Sequence, residues 1–405
     1  MAGSGADQNK ICLVLGCFLL LRSQLNAALV VCSDANDASA LFCTNTASTV
    51  GFGLSLYSQQ QHVCCQTTGA SHARVSGDVM PPPLSRSAAA RDPPCRRSCL
   101  LARVLETTQR SHTTTSQESG LRFHYVAAGE RGKPLMLFLH GFPEFWFSWR
   151  YQLREFKSEF RVVAVDMRGY GESDLPLSSE SYRFDYLVTD VKDIVEYLGY
   201  NRCCLVGHDW GGTIAWLFAI HYPEMVTKLI VLNCPHPSVF ADYALRHPSQ
   251  LLKSSHYFFF QLPCFPELML SINDFKAVRS LFTSRSTGIG RKGRWLTTED
   301  LEAYLYALSQ PGALTGALNY FRNVFSSLPL NQNHVRAPVL LLWGERDAFL
   351  EQEMAEACRL YIRNHFRLNI ISGASHWLQQ DQPDIVNTLI WTFLKEGEGR
   401  KSYRT

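Results

Sequence analysis

The stretch "CCLVGHDWGGTIAW", Cys203 to Trp216, joins an apolar run to a helix-period segment through Gly207-His208-Asp209-Trp210-Gly211. Its outline is G-x-S-x-G, the sharp strand-to-helix turn that lifts a nucleophile above a parallel sheet, with Asp209 standing where the serine would be. Such a turn needs buried strands around it. Working outward, "KPLMLFLHG" (Lys133 to Gly141), "FRVVAVDMRG" (Phe160 to Gly169), "KLIVLNCP" (Lys228 to Pro235), "APVLLLWGERD" (Ala337 to Asp347) and "FRLNIISGASH" (Phe366 to His376) are short apolar blocks of the same kind. They read as strands buried on both faces, as in a parallel sheet. Between them lie helix-period segments such as "DYLVTDVKDIVEYLGY" (Asp185 to Tyr200), "TIAWLFAIHYPEMV" and "EMAEACRLYIRNHF" (Glu353 to Phe366). The alternation predicts an α/β fold with a doubly wound, mostly parallel sheet.

The rhythm breaks between about Val239 and Asn331, where the chain is aromatic-rich, helical in period and without a buried-strand block. A helical insertion between two strands of such a sheet sits over their C-terminal ends, where these folds bind ligands. Residues 239–330 are therefore expected to form a lid on a core of 120–238 and 331–398, with 399–405 a tail.

The 405 residues are 46% hydrophobic and 19% charged, enough to bury a large core. A net charge of +3 gives no electrostatic case for nucleic-acid binding, and no protein partner is implied. Eight of the 13 cysteines fall in the first hundred residues. The other five, Cys203, Cys204, Cys234, Cys264 and Cys358, lack the spacing of a zinc site and read as free, buried thiols.

The N-terminal third differs from the rest. "ICLVLGCFLLL" (Ile11 to Leu21) is an unbroken apolar run, shorter than the roughly 20 residues that span a bilayer. With only Lys10 beside Asp7 before it and no clear small-x-small site after it, residues 1–32 read as a short signal anchor, against an unspecific apolar patch. Residues 33–119 are rich in Ser, Thr, Ala, Arg and Pro without periodicity, and are expected to be a disordered linker.

The chemistry follows from order. Sheets that carry a nucleophile on such a turn place an acid after a later strand and a histidine last. Asp209, Asp347 and His376 occur in that order, each at the end of an apolar block, so all three are expected at one edge of the sheet. A carboxylate nucleophile attacks sp³ carbon and yields an alkyl ester, which a water activated by a base must then hydrolyse. His376, oriented by Asp347, is the expected base. The expected leaving group is an epoxide oxygen or a halide, since a serine would be the choice for acyl carbonyls. "HGFPE" (His140 to Glu144) brings the backbone N–H of Phe142, and the turn that of Trp210, to the oxyanion formed during ester hydrolysis. Phe142–Pro143 is expected to be cis.

"LHGFPEFWFSWRYQL", "DMRGYGESD", "VGHDWGG" and "ASHWLQQDQPDIVN" together resemble the epoxide hydrolases of the α/β-hydrolase superfamily, in particular the subgroup of epoxide hydrolases 3 and 4. The likeness covers about Gly120 to Glu398. It implies the α/β-hydrolase fold, an Asp-His-Asp site, no cofactor, lipophilic epoxides as substrates and, in that subgroup, a single N-terminal membrane anchor. An anchor would place the protein in a membrane such as the endoplasmic reticulum, and its absence in the cytoplasm.

The family also places two lid tyrosines on the epoxide oxygen, one shortly before a Phe-Gln pair and one in an Asn-x-Tyr-Arg-Asn run. Matched on "FQLP", the first position falls on His256 with Tyr257 beside it; matched on "NYFRN", the second falls on Phe321 with Tyr320 beside it. One residue on a helix is about 100° of rotation, so both tyrosines are expected to point elsewhere unless the backbone is re-registered. Tyr257, Tyr320 and His256, the last if cationic, are the candidate proton donors. Two other readings stand beside the leading one: a ligand-binding or degenerate hydrolase whose lid has lost its acids, and a haloalkane dehalogenase in which the Trp210 indole holds a halide.

Four stretches carry structure rather than chemistry in this reading. "DMRGYGESD" lacks a phosphate-loop pattern, and Asn233 and His236 read as packing or turn residues. "STGIGRKGRW" (Ser286 to Trp295) reads as a solvated lid loop, and "FFFQLPCFPELML" (Phe258 to Leu270) as the wall of an apolar pocket.

Overall fold

The structure, a computed structural model, describes residues 110–290, 296–324 and 333–396. The expected signal anchor, the linker up to residue 109 and the tail lie outside the described residues.

Eight strands form one sheet: β1 (Arg110–Thr115), β2 (Arg122–Ala128), β3 (Leu135–Leu139), β4 (Arg161–Val165), β5 (Cys203–His208), β6 (Val226–Leu232), β7 (Val339–Gly344) and β8 (Phe366–Ile371). Their order is β1-β2-β4-β3-β5-β6-β7-β8. The six apolar blocks are the six parallel strands β3 to β8. β3, β5 and β7 are buried at every residue, whereas β8, at the sheet edge, is buried only at Ile371. Two antiparallel strands extend the other edge. β1 lies inside the stretch assigned to the linker. Its sequence, "RSHTTT", is polar because an edge strand buries few side chains, here Thr114, so composition concealed it.

The helices are α1 (Arg150–Phe156), α2 (Phe184–Tyr197), α3 (Trp210–His221), α4 (Pro237–Arg246), α5 (Pro248–Lys253), α6 (Ser255–Phe259), α7 (Phe265–Thr283), α8 (Thr298–Leu308), α9 (Ala313–Arg322), α10 (Glu353–Ala357), α11 (Leu378–Asp381) and α12 (Pro383–Lys395). α2 shows why such segments fold onto the sheet. Its buried Phe184, Leu187, Val188, Val191, Ile194 and Val195 recur at helical spacing, and left-handed Gly199 ends it. α2 packs on α3, which packs on β3, β5 and β6, while α1 and α12 pack together against β4 and β7.

The segment from Glu353 is α-helical to Ala357 and 3-10 helical to Tyr361, not helical to Phe366. Ile362 instead pairs with Val335, so the backbone there is committed to an inter-segment bridge.

α4 to α9 form the insertion between β6 and β7, beginning two residues before the expected boundary because His236 caps α4 by accepting from the Ser238 N–H. α7 is broken where Asn273, Asp274 and Phe275 are left-handed, and α8 opens with a capping box between Thr297 and Asp300. Gly288, Ile289 and Gly290 of the expected solvated loop are buried, with the Gly290 N–H on Asp381, and residues 291–295 lie outside the described residues. Of the stretch expected to wall a pocket, Phe258 and Phe260 do so, but Phe265, Leu268 and Met269 are exposed. Cys203, Cys204, Cys234 and Cys358 are buried free thiols; Cys264, at the exposed head of α7, is free but not buried. Among the described residues no helix is long and apolar enough to cross a membrane.

Candidate active site

Asp209 stands between β5 and α3 with φ 51° and ψ −120°, a conformation that costs a non-glycine residue on the order of 1–3 kcal/mol. Glycines make the turn possible. A Cβ on Gly207 would lie 2.4 Å from the Gly211 carbonyl oxygen, and one on Gly211 would lie 2.3 Å from that of Leu139. A Cβ on Gly141 would meet Asp209 itself at 2.4 Å.

The three groups predicted from chain order are brought together. His376 Nε2 is 3.5 Å from Asp209 Oδ2, and its Nδ1 is 2.8 Å from Asp347 Oδ2. The other oxygen of Asp347 accepts from the backbone N–H groups of Phe349 (2.8 Å) and Leu350 (3.0 Å), which fixes the carboxylate. Burial disfavours the charge on Asp209, yet hydrogen bonding and attraction to His376 prevail and hold its carboxyl at about 2. Burial likewise opposes the His376 imidazolium, but Asp347 and Asp209 raise it to about 10. The resting site is thus an ion pair beneath the lid.

The Phe142 N–H donates to Asp209 Oδ1 at 2.9 Å, and Phe142–Pro143 is cis. Trp210 is the first residue of α3, where backbone N–H groups lack an intrahelical acceptor.

The candidate donors divide. Tyr257 borders the cavity beside Asp209, and burial with the Asp209 charge keeps its hydroxyl protonated well above the usual phenol range. His256 borders the cavity too, because side chains about 100° apart straddle it from the short helix α6. Burial lowers the His256 pKa to about 4, which disfavours the cation that a donor role would use. Tyr320 is not brought to the cavity. Its hydroxyl donates to the Arg168 carbonyl at 2.8 Å, while Phe321 lines the smaller cavity together with Asp209, its ring against Phe142, Trp210 and Tyr257.

A buried polar layer beneath these groups has no signature in the sequence spacing. Glu144 accepts from the Gly141 N–H, His208, Gln379 and Gln380. Gln380 in turn accepts from Arg150 and from Tyr304 of the lid helix α8. His208 and Asn233 both bond the His376 carbonyl oxygen, at 2.8 and 2.7 Å, so β5 and β6 pin the backbone of the histidine. The only hint was polar residues beside the turn in an otherwise apolar context. Asn233 also accepts from the Gly344 N–H, and Asp166 of "DMRGYGESD" accepts from Trp146, Glu172 and His124, so both motifs hold backbone in place. Trp210 Nε1 is buried without a hydrogen-bond partner among the described residues.

Known proteins share this sequence and fold. Residues 134–383 match the family described as alpha/beta hydrolase fold. Epoxide hydrolase 4 of Homo sapiens is 70% identical over 285 residues, covering 70% of this chain and 79% of the relative. Epoxide hydrolase 3 of Xenopus tropicalis is 54% identical over 280 residues, 69% of this chain and 76% of its own. A Bacillus megaterium epoxide hydrolase in complex with an inhibitor superposes with a TM-score of 0.65 at 34% identity, over 70% of this chain and 100% of that one. The chain belongs to the epoxide hydrolase family of the α/β-hydrolase superfamily.

Proposed function

We propose that the protein hydrolyses lipophilic epoxides to vicinal diols through an ester on Asp209. The observation that carries the reading is the pairing of Asp209 with His376, the carboxylate bordering an apolar cavity of about 350 Å³ and the histidine a smaller one beside it. Asp209 attacks an epoxide carbon, the ring C–O bond breaks, and the Tyr257 hydroxyl protonates the alkoxide. Esterification removes the charge of Asp209, and with it part of what holds the proton on His376. The histidine surrenders that proton to restore Tyr257 and becomes a base. Water then attacks the ester carbonyl, giving its proton to His376, while the N–H groups of Phe142 and Trp210 hold the oxyanion. Collapse frees the second diol oxygen, which takes the proton from His376, and the proton left on the Asp209 carboxyl passes to His376 and restores the resting pair. With Tyr320 committed to Arg168, ring opening runs on one tyrosine, and turnover is slower than in a site with two.

The test is a single turnover in ¹⁸O-water. An unlabelled diol with the label in Asp209 supports the ester route; label in the first diol contradicts it. Binding of epoxide without any diol would favour the degenerate-hydrolase reading that the single tyrosine keeps open.

A further inference from the structure

Asp209 stands between two chambers. The larger, about 350 Å³, is walled by groups such as Trp210, Thr213, Cys234 and Phe240. The smaller, about 120 Å³, contains both His256 and His376 among walls such as Phe142, Phe321 and Phe349. Asp209, Tyr257 and Leu350 border both. The rings of His256 and His376 each meet Phe349 edge-on, at 5.8 and 5.1 Å.

The protonation of His256 follows from one contact. Its Nδ1 lies 3.1 Å from the Lys253 carbonyl oxygen, which only accepts, so Nδ1 carries the hydrogen. Desolvation lowers the pKa of the ring and favours its neutral form, in which Nε2 is an acceptor. It has no proton to give to an alkoxide.

We propose that His256 is a positioning residue for the hydrolytic water, accepting one of its O–H groups in the smaller chamber while His376 takes the proton from the other. The proposal rests on the ester reading above. A buried water needs two to four polar partners, and among the mostly aromatic and apolar walls of the smaller chamber His256 joins His376, Asp209 and Tyr257 as a polar group that can supply one. Held by two acceptors, the water directs a lone pair at the Asp209 ester carbon. His256 neither gains nor loses a proton in the step. The C–O bond to the water oxygen forms, the proton goes to His376, and the departing diol oxygen recovers it as the ester bond breaks. The lipophilic body of the substrate occupies the larger chamber throughout.

The experiment is rapid-quench intact mass spectrometry of the full chain with a lipophilic epoxide, reading formation and decay of the Asp209 adduct. His256→Phe should form the adduct and lengthen its lifetime about tenfold or more, the cost of leaving a buried O–H without an acceptor. His256→Gln, whose amide oxygen restores an acceptor, should recover part of the loss, a rescue that a merely structural role would not show. If His256→Phe fails to fold, His256→Leu against His256→Gln gives the same comparison. Adduct decay at the wild-type rate, or a loss confined to ring opening or to hydroxylated epoxides, overturns the proposal. Absence of any adduct in His376→Gln overturns the ester reading instead, so the two failures are distinct.

Discussion

The sheet edge and the lid hold their side chains by different means. Asp209, Asp347 and His376 sit at the ends of parallel strands, and each is tied to backbone. The Phe142 N–H holds Asp209, two N–H groups hold Asp347, and the carbonyl of His376 receives His208 and Asn233. The lid groups instead depend on which way a short helix faces. Tyr257 borders the cavity from the five-residue helix α6, while Tyr320, on α9, points into the core and bonds Arg168. A sheet edge offers backbone dipoles at fixed positions, so its chemistry tolerates little change. A lid can exchange an acid for a phenylalanine without disturbing the base beneath.

The largest effect that would break this contrast is at the sheet. Asp209→Asn removes the nucleophile, and turnover should fall by about 10⁴-fold or more, measured as diol formation. A loss of less than tenfold would mean that Asp209 is not the attacking group. In the lid, Tyr257→Phe should slow ring opening by roughly 10²-fold, the lower end of what general-acid catalysis supplies. Tyr320→Phe should leave ring opening within about twofold but destabilise the fold by on the order of 1 kcal/mol, because the buried Arg168 carbonyl loses its donor. Pre-steady-state rates with thermal melts separate the two, and equal kinetic effects would end the distinction between them.

Linkage sharpens the contrast further. His376 binds its proton more tightly folded than unfolded, so its contribution to stability is full below about pH 6.5 and is lost as pH rises toward about 10. Asp209→Asn should flatten that decline in denaturant titrations at stepped pH, because Asp209 supplies part of the cause. An unchanged slope would show that Asp347 alone holds the proton.

Legibility follows the same division. Strands β3, β5 and β7 were readable because burial on both faces writes a continuous apolar run, edge strand β8 was readable from its apolar composition although only Ile371 is buried, and the order of Asp209, Asp347 and His376 followed from strand ends. β1 was not, since an edge strand of Ser and Thr has the composition of a linker. In the lid, sequence register named Tyr257, Tyr320 and His256 as candidates, but that Tyr257 and His256 border the cavity while the Tyr320 hydroxyl bonds Arg168 depends on how short helices pack. The layer of Glu144, His208, Gln379 and Gln380 was invisible because its partners lie up to 236 residues apart. Phe265, Leu268 and Met269 had the composition of a pocket wall and are exposed, because hydropathy alone does not say which face of a lid helix turns outward.

The measurement that bears most directly on the central claim is intact mass spectrometry of His376→Gln incubated with a panel of lipophilic epoxides. Removing the base leaves ester formation possible and blocks its hydrolysis. A covalent adduct of epoxide mass should form, map to Asp209 and be absent from Asp209→Asn. No adduct across the panel, while the same base variant of a related epoxide hydrolase labels under the same conditions, would contradict the ester route.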